Sequence, residues 1–353
     1  MKLSDVVNRI NGNVDRYTTD LLYYIGGEHF ESNELEITNK AIIKDNLGIL
    51  GFKFHFAFQD RDVIFMARNP HLRKAGMVRF SGLCSDASYI LRSKDENILT
   101  QEYLAIQLQS DHFWDYCESH KVGSVNFANN WSSIANYEFD LPTIDKQREI
   151  ADKVWAAYEV KKAYRSMIKA TDEMVKSQFI EMFGGHSTVV KLKDVVTIMD
   201  DKRKPINEGE RSAMKDGELY PYYGATGVVD YINDYLTDER LLCIAEDCGN
   251  YGPGEESSYI IEGKAWVNNH AHVVKPNDEL CDITYLHNYL KVTDLLPFVS
   301  GTTRKKLTQK AMSDLDIILP QIDKQREYVS ICDQADKSKF VGFKSLSQGH
   351  YKR

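Results

Sequence analysis

The sequence is poor in the features that would place it outside the ordinary globular class. Only 8 of its 353 residues are proline and 6 are cysteine. No second pair accompanies Cys243 and Cys248 to complete a zinc site, so we expect reduced, mostly buried thiols and no bound metal. No apolar run approaches the roughly 20 residues needed to cross a bilayer. Residues 1–13 lack the apolar core of a signal peptide, so we expect a cytoplasmic protein without membrane contact.

An excess of positive charge is also missing, because the net charge is −8. Residues 1–140 carry 14 basic and 19 acidic side chains, and residues 191–320 carry 15 and 22. The segments that follow these two blocks, residues 141–190 and 321–353, are slightly basic. A general polyanion binder is therefore excluded, and any contact with nucleic acid must come from local basic clusters.

What the sequence does contain is a long internal repeat. Residues 141–149 read LPTIDKQRE, and residues 319–327 read LPQIDKQRE, at an offset of 178. A second echo, KLSDVV at residues 2–7 and KLKDVV at residues 191–196, marks the front of each copy. Matching starts and ends around dissimilar middles indicate a tandem duplication of one domain, because this period is too long for a solenoid repeat.

A long helix is predicted after each Leu-Pro. From about Asp145 to Phe183 the chain has neither proline nor glycine, and its apolar residues recur at intervals of 3, 4 or 7. Gly184 ends this run in the way that helices commonly end. The second run, from about Asp323 to Leu346, is shorter and less regular. An apolar stripe on a lone helix needs a partner, so we expect the two helices to pair antiparallel.

The two blocks that precede these helices have short β-type runs separated by turn signals. Examples are residues 52–58, 63–66, 241–245 and 271–274. A helix-like stretch, residues 100–120 in one block and 282–296 in the other, stands before each Leu-Pro. The predicted fold class is α+β, with two tandem domains of irregular β structure that are each followed by a long helix.

This ordering resembles the DNA specificity subunit of type I restriction-modification systems. The resemblance rests on the duplicated Gly-(Ser/Thr)…Leu-Pro-x-Ile-Asp-Lys-Gln-Arg-Glu frame, and on YYGATGVVDY at residues 222–231 and WVNNHAHV at residues 266–273. It implies two target-recognition domains, residues 1–142 and 186–320. It also implies a central spacer helix at residues 143–185 and a shorter distal one at residues 321–353.

The resemblance further implies a division of labour among subunits. Each domain would read one half of a bipartite, asymmetric site on double-stranded DNA, and the helices would set the gap between the halves. The chain itself would bind no cofactor and carry no catalytic residue. Two adenine methyltransferase subunits using S-adenosylmethionine would dock on it, and a nuclease/translocase using ATP and Mg would join them in restricting foreign DNA such as that of phage.

Basic groups in otherwise acidic domains, together with a polar turn, give the candidate DNA contacts. Any single basic group could equally be a solvated surface run, the Asn residues could simply close a turn, and Tyr223 could simply pack. The candidates are Arg68, Arg73, Lys74, Lys202, Arg203, Lys204, Tyr223, Asn268, Asn269, His270, Thr302, Thr303, Arg304, Lys305 and Lys306.

A second set of residues is predicted to dock partners or to pair the helices. Gln-Arg opens both helices, and the apolar stripe continues along the first one. The set consists of Gln147, Arg148, Ile150, Val154, Ala157, Tyr164, Ile168, Val175, Gln325 and Arg326.

Other functions remain open at this stage. One alternative is the specificity chain of a restriction enzyme of another type. A second is a metal-dependent nuclease that uses Asp247, Glu262 and Lys264, although an acid-x-Lys pattern is common on strands. A third is a helical scaffold whose two domains bind proteins or glycans. No phosphate-binding GxxxxGK[ST] loop and no nucleophile elbow occurs in the sequence.

Overall fold

The computed structural model describes residues 1–124, 127–185, 188–302 and 304–350, with residues 340–350 as backbone only. Two compact units, Met1–Ala163 and Tyr164–Arg353, meet within one long helix. The predicted α+β class with irregular sheets and long helices is confirmed. The predicted domain boundaries stay predictions.

The first unit contains two sheets flanked by short helices. Its strands are β1 Val7–Ile10, β2 Tyr23–Ile25, β3 Glu36–Ile37, β4 Ala41–Ile42, β5 Phe54–Phe58, β6 Val63–Met66, β7 Ala75–Val78, β8 Gly82–Ser85 and β9 Ser88–Ser93. Its helices are α1 Leu3–Val6, α2 Ile43–Asn46, α3 Gln101–Gln107, α4 Asp111–Ser119 and α5 Trp131–Ala135. The sheet orders are β1-β9-β6-β7-β3 and β4-β2-β8-β5.

The long helix α6, Ile144–Phe183, belongs to the first unit up to Ala163 and to the second unit from Tyr164 onward. The strands of the second unit are β10 Val189–Lys191, β11 Val196–Ile198, β12 Tyr220–Tyr223, β13 Val228–Ile232, β14 Thr237–Asp238, β15 Leu241–Ala245, β16 Ser258–Ile261, β17 Lys264–Val267, β18 Ala271–Pro276 and β19 Asp316–Ile318. Its helices are α7 Leu192–Val195, α8 Glu208–Ala213, α9 Ile283–Val292, α10 Gln309–Ser313 and α11 Ile322–His350.

The two units share one topology although their middle sequences differ. The second unit's larger sheets run β11-β18-β15-β16 and β13-β12-β17-β14, in the same order as their counterparts in the first unit. In the sheets β4-β2-β8-β5 and β13-β12-β17-β14, the two central strands are parallel to each other: β2 pairs with β8, and β12 pairs with β17. The repeated sequence frame therefore encloses a repeated fold, and the middles vary in side chains more than in backbone path.

Each sequence echo has a matching structural role. Asp5 accepts a hydrogen bond from the Lys2 N–H at 3.0 Å, and Asp194 accepts one from the Lys191 N–H at 3.2 Å. These carboxylates cap the short helices α1 and α7 at the entrance of each unit. The repeated residues thus form the same helix start twice.

The long helices pair antiparallel inside the second unit, as predicted. The Tyr328 ring of α11 lies 5.4 Å from the Phe179 ring of α6, between centroids. Further along α11, Lys339 Nζ lies 2.7 Å from the Asp172 carboxylate. As α11 advances, its partners on α6 move back toward the N-terminus, so the two helices run in opposite directions.

One detail of the sequence-based expectations is wrong. The helix-like stretch at residues 100–120 is two helices, because the Ser110 hydroxyl caps a new one by accepting the Phe113 N–H. In α6, Ala157 is exposed, whereas the neighbouring Tyr158 is buried. The packed face of α6 therefore runs through Tyr158, about 100° around the helix from Ala157.

Candidate nucleic-acid interface

In the sheets β1-β9-β6-β7-β3 and β11-β18-β15-β16, the backbone at one end of the strands has the same arrangement. In the first unit, the Ala67 N–H donates to the Ala87 carbonyl and the Asn129 N–H donates to the Ala67 carbonyl, both at 2.9 Å. We call these segments, residues 67–69, 86–87 and 127–129, the first rim. It joins the ends of two sheet strands to a loop that comes from far along the chain.

The second unit repeats this ladder. The Glu246 N–H donates to the His270 carbonyl at 2.9 Å, and the Leu307 N–H donates to the Glu246 carbonyl at 2.7 Å. We call the segments at residues 246–247, 268–270 and 304–307 the second rim. Two equivalent backbone frames thus carry unlike side chains.

The second rim brings together predicted residues that are far apart in the sequence. Asp247 lies between His270 and Arg304, because its two carboxylate oxygens are 2.8 Å from His270 Nδ1 and 2.8 Å from Arg304 Nη2. Lys306 Nζ lies 2.8 Å from the Glu246 carboxylate. Arg304 and Lys306 keep about half of their side-chain surface exposed. The rim therefore presents cations that its own carboxylates hold in place.

Arg203, one of the predicted phosphate contacts, lies mostly within the protein. Its side chain is only 18% exposed and pairs with Asp200 at 3.1 Å and with Glu246. It also donates to the carbonyl of Ala271 at 3.2 Å. Burial alone would raise the pKa of Glu246, but the bonds from Lys306 and Arg203 outweigh it and hold this pKa below its usual value. Arg203 therefore holds the second rim together from beneath.

A buried histidine that the sequence reading missed also supports the second rim. His272 Nδ1 lies 2.8 Å from the Asp200 carboxylate, and Nε2 lies 2.9 Å from the Leu307 carbonyl. The buried ring therefore joins the Asp200 side chain to the backbone of Leu307 beneath the second rim. Burial alone would raise the pKa of Asp200, but the bonds from His272 and the Val273 N–H outweigh it and lower this pKa.

The three residues of the polar turn in the second rim differ in exposure: one is buried, one is exposed and one is partly exposed. Asn268 is 7% exposed, and its side-chain oxygen accepts the His270 N–H at 2.8 Å. Asn268 therefore closes the turn, which was the alternative to its prediction as a base-reading residue. Asn269 is exposed and His270 is partly exposed. Tyr223 packs against Tyr259, with ring centroids 5.4 Å apart.

The remaining candidates of the second unit differ in exposure. Lys204 is exposed, and its carbonyl accepts the Trp266 indole N–H at 2.7 Å. Lys202 is partly exposed in the single 3-10 turn Asp200–Lys202. Thr302 and Lys305 are exposed beside Arg304, and Thr303 lies outside the described residues.

In the first unit, Arg68 lies on the first rim with its side chain exposed. Arg73 pairs with Asp111 at 2.5 Å, and Lys74 Nζ donates to the Gly27 carbonyl at 2.6 Å. Arg68 occupies the place of Asp247, since each forms the bridge to the loop of its unit, at Ala128 and Lys306. The cation therefore comes from the strand end in one unit and from the loop in the other.

The repeated glutamine joins each long helix to the unit before it. Gln147 is fully buried: Oε1 accepts the Thr100 N–H at 3.1 Å, and Nε2 donates to the carbonyls of Ile98 and Pro142 at 2.8 and 2.9 Å. Thr100 is the N-cap residue of α3, so the contact connects two helix starts.

Gln325 makes the same three contacts in the second unit. Oε1 accepts the N–H of Asp282, the N-cap residue of α9, at 2.8 Å. Nε2 donates to the carbonyls of Leu280 and Pro320 at 2.9 and 2.8 Å. Neither glutamine can contact a partner, which corrects their prediction as docking residues. Arg148 and Arg326, beside them, are exposed.

Several residues of the predicted stripe pack within their own units. Ile150 lies against the core of the first unit, and Val175 lies against the core of the second. The Tyr164 hydroxyl donates to the Lys339 carbonyl, and Val154 and Ile168 are partly buried. These side chains stabilise the frame itself.

The predicted nuclease set is not brought together. Asp247 follows the C-terminal end of β15, whereas Glu262 follows Ile261, which pairs with Leu241 at the other end of that strand. Six residues of extended chain separate the two ends by about 20 Å. Glu262 instead pairs with Arg240 at 2.8 Å. Within the described ranges, no three His, Cys, Asp or Glu side chains are placed to hold a metal ion.

The chain is similar to known proteins of one family. Residues 186–341 match the family model of the type I restriction modification DNA specificity domain. A putative type I restriction enzyme specificity subunit of Haemophilus influenzae is 34% identical over 145 residues, 40% of this chain and 35% of that relative. The matched segment thus spans about a third of the relative's length.

Two solved structures share the fold over nearly the whole chain. The type I restriction-modification S subunit of M. genitalium has a TM-score of 0.64 at 13% identity, covering 99% of this chain and 91% of that one. A chain from a study of complex assembly and conformational transition of the type I system has a TM-score of 0.50 at 17% identity, covering 99% and 93%. The family model thus supports the resemblance over residues 186–341, and the solved structures show a shared fold over nearly the whole chain.

Proposed function

We propose that this chain, which carries a type I restriction modification DNA specificity domain, recognises a bipartite DNA sequence with its two units. The observation that carries the proposal is the pair of equivalent rims. The first rim offers one exposed cation, Arg68, and the second offers Arg304, Lys305 and Lys306 beside the polar side chains of Asn269 and His270, so the side chains differ between the rims. Two different half-sites would follow from one backbone frame.

The first rim would use Arg68, and the second rim would use Arg304, Lys305 and Lys306 together with Asn269 and His270. Arginine can pair bidentately with guanine, and lysine supplies a point charge for phosphate. The ion pairs with Asp247 and Glu246 would exchange for DNA phosphates on binding. That exchange fits an acidic chain that binds DNA through two local clusters.

The chain would be non-catalytic and would recruit its enzymes through the long helices. A helix of 40 residues such as α6 is about 60 Å long, and its length would set the gap between half-sites. Val160, Met167 and Met174 are exposed on α6 at intervals of seven residues. This spacing suits a helix of a partner subunit.

The partners would be two adenine methyltransferase subunits that bind S-adenosylmethionine, and a nuclease/translocase that uses ATP and Mg. The assembly would act in the cytoplasm against foreign DNA. None of the helices in the described part of the chain combines the length and apolar character that a membrane crossing requires.

The test is to assign one half-site to each rim. Arg68→Ala and Arg304→Ala would each be assayed with the methyltransferase on the DNA that the unaltered complex methylates. We expect each variant to lose footprint protection at a different half-site, and to lower the salt slope of log K by about 1 for each lost phosphate contact.

Lys193→Ala is the matched control. It also breaks a surface ion pair, with Asp314 at 2.9 Å. However, Lys193 precedes β11, whose Val196 pairs with Pro276 at the end of β18 opposite the second rim. Equal losses at both half-sites from either arginine variant, or a loss as large with the control, would contradict the proposal. A chain that bound proteins or glycans and no DNA would favour the scaffold alternative.

A further inference from the structure

The first unit exposes an apolar loop that the proposed phosphate and base contacts do not use. The loop covers residues 47–53, between α2 and β5. Ile49 is 81% exposed and Phe52 is 75% exposed, the two highest values among the large apolar side chains in the described ranges. Clustered apolar exposure of this kind marks binding surfaces more often than bare solvent-facing structure.

The loop has a fixed shape. Leu50, between the two exposed residues, is only 5% exposed and anchors the loop in the core. The N–H groups of Ile49 and Leu50 donate to the Asn46 carbonyl at 3.0 and 2.8 Å, and the Phe54 N–H donates to the Gly51 carbonyl at 3.1 Å. Ile49 and Phe52 are therefore held outward by an ordered backbone.

The glycines of the loop leave room for a close ligand. A Cβ atom added at Gly48 or at Gly51 would have no neighbouring atom within 4 Å. Small residues on either side of Ile49 let a bulky partner approach the backbone closely.

The loop continues the first rim. The Lys53 carbonyl accepts the Asp86 N–H at 3.1 Å, and the next residue, Ala87, accepts the Ala67 N–H at 2.9 Å. Adjacent hydrogen-bonded segments lie about 5 Å apart, so the loop stands two segments from Arg68. A ligand that reached Arg68 along the rim would also meet Phe52.

We infer that Ile49 and Phe52 contact the 5-methyl group of thymine in the first half-site. This inference rests on the proposed function. Thymine is the base that offers an apolar group in the major groove, and phenylalanine is among the side chains that contact it. A neighbouring cation such as Arg68 would hold the phosphate backbone while the apolar pair reads the base.

The test removes the methyl group alone. Each thymine of the two half-sites is replaced in turn by deoxyuridine, and binding by the full chain with its methyltransferase is measured. We expect at least one replacement, in the half-site that Arg68→Ala weakens, to reduce affinity about fourfold, the equivalent of about 0.8 kcal/mol for one buried methyl. In Phe52→Ser or Ile49→Ser the same replacement should have no effect.

Ile98→Ser is the matched control, since Ile98 is also an exposed isoleucine of the first unit, at 47%, and should keep the fourfold effect. The inference would be overturned if the methyl effect persisted in both loop variants, or if no thymine of that half-site showed a methyl effect. It would also be overturned if that half-site consisted only of G·C pairs. Loop variants that no longer bound the methyltransferase but still bound the DNA would overturn the inference as well. If the chain binds both half-sites specifically but is insensitive to the methyl groups, only this inference is overturned and the proposed function is not. If the chain shows no sequence-specific binding, both the inference and the proposed function are overturned.

Discussion

Replacing Gln147 by leucine removes three hydrogen bonds at once from the joint between the first unit and α6. The Thr100 N–H loses its side-chain acceptor in a buried place, and the carbonyls of Ile98 and Pro142 lose a donor in partly buried places. An unsatisfied buried group costs about 1–3 kcal/mol. The buried Thr100 N–H sets the scale, so we expect Gln147→Leu to destabilise the first unit by about 1–3 kcal/mol, a large share of ordinary domain stability.

Hydrogen exchange followed by mass spectrometry measures this effect locally, which suits a chain of two units because their unfolding need not be two-state. Gln147→Leu should accelerate exchange at the Thr100 amide and leave the Asp282 amide unchanged. Gln325→Leu should do the reverse, because its contacts lie in the second unit. Arg148→Ala is the control: Arg148 is 57% exposed, so its loss should change stability by less than about 0.5 kcal/mol.

Equal stability of Gln147→Leu and Arg148→Ala would show that the three hydrogen bonds of Gln147 do not stabilise the first unit. If either glutamine variant loosened both amides equally, the two joints would not be local to their units.

The cysteines and one histidine give two further predictions. In the native chain Cys248 is the exposed thiol among the described residues, and burial raises the pKa of Cys243 and Cys281 to about 12. Iodoacetamide at pH 8 should therefore modify Cys248 first, and peptide mapping should show no fast-reacting site in Cys248→Ser. Burial lowers the pKa of His287 below 6.5 while its Nδ1 lies 2.9 Å from the Ser258 hydroxyl. The unfolded chain then binds the proton more readily, so stability should fall as the pH drops below about 6.5. Urea midpoints at pH 7 and 5.5 should differ less in His287→Gln, and an unchanged difference would refute this account.

The architecture could be predicted because it depends on repeated and periodic residues. The second Leu-Pro-x-Ile-Asp-Lys-Gln-Arg-Glu located the second helix, and the run without glycine or proline placed α6 to within one residue of its observed bounds, Ile144–Phe183. The duplication predicted that the two units share a fold, but the strand order of that fold was not predictable. The strands are two to six residues long, and equivalent strands share little beyond the Val that opens β1 and β11 and the Tyr-Tyr pair in β2 and β12.

The details of the interface depend on contacts between distant residues, which a local pattern does not contain. Arg203 stands between two lysines and reads as part of a basic run, but Glu246, 43 residues later, draws it into the protein. Gln147 stands between two charged residues and reads as surface, yet the groups that bury it belong to a loop 47 to 49 residues earlier. Acids directly after a buried strand, as at Glu246 and Asp247, were the available signal for the second rim.

The central claim is that two equivalent rims read two different half-sites. Methylation mapping of random DNA treated with the full chain and its methyltransferase tests this directly. The account predicts modified adenines within a split motif, with two specified halves and an unspecified gap of constant length. A single uninterrupted motif, two identical halves, or methylation without sequence preference would contradict it.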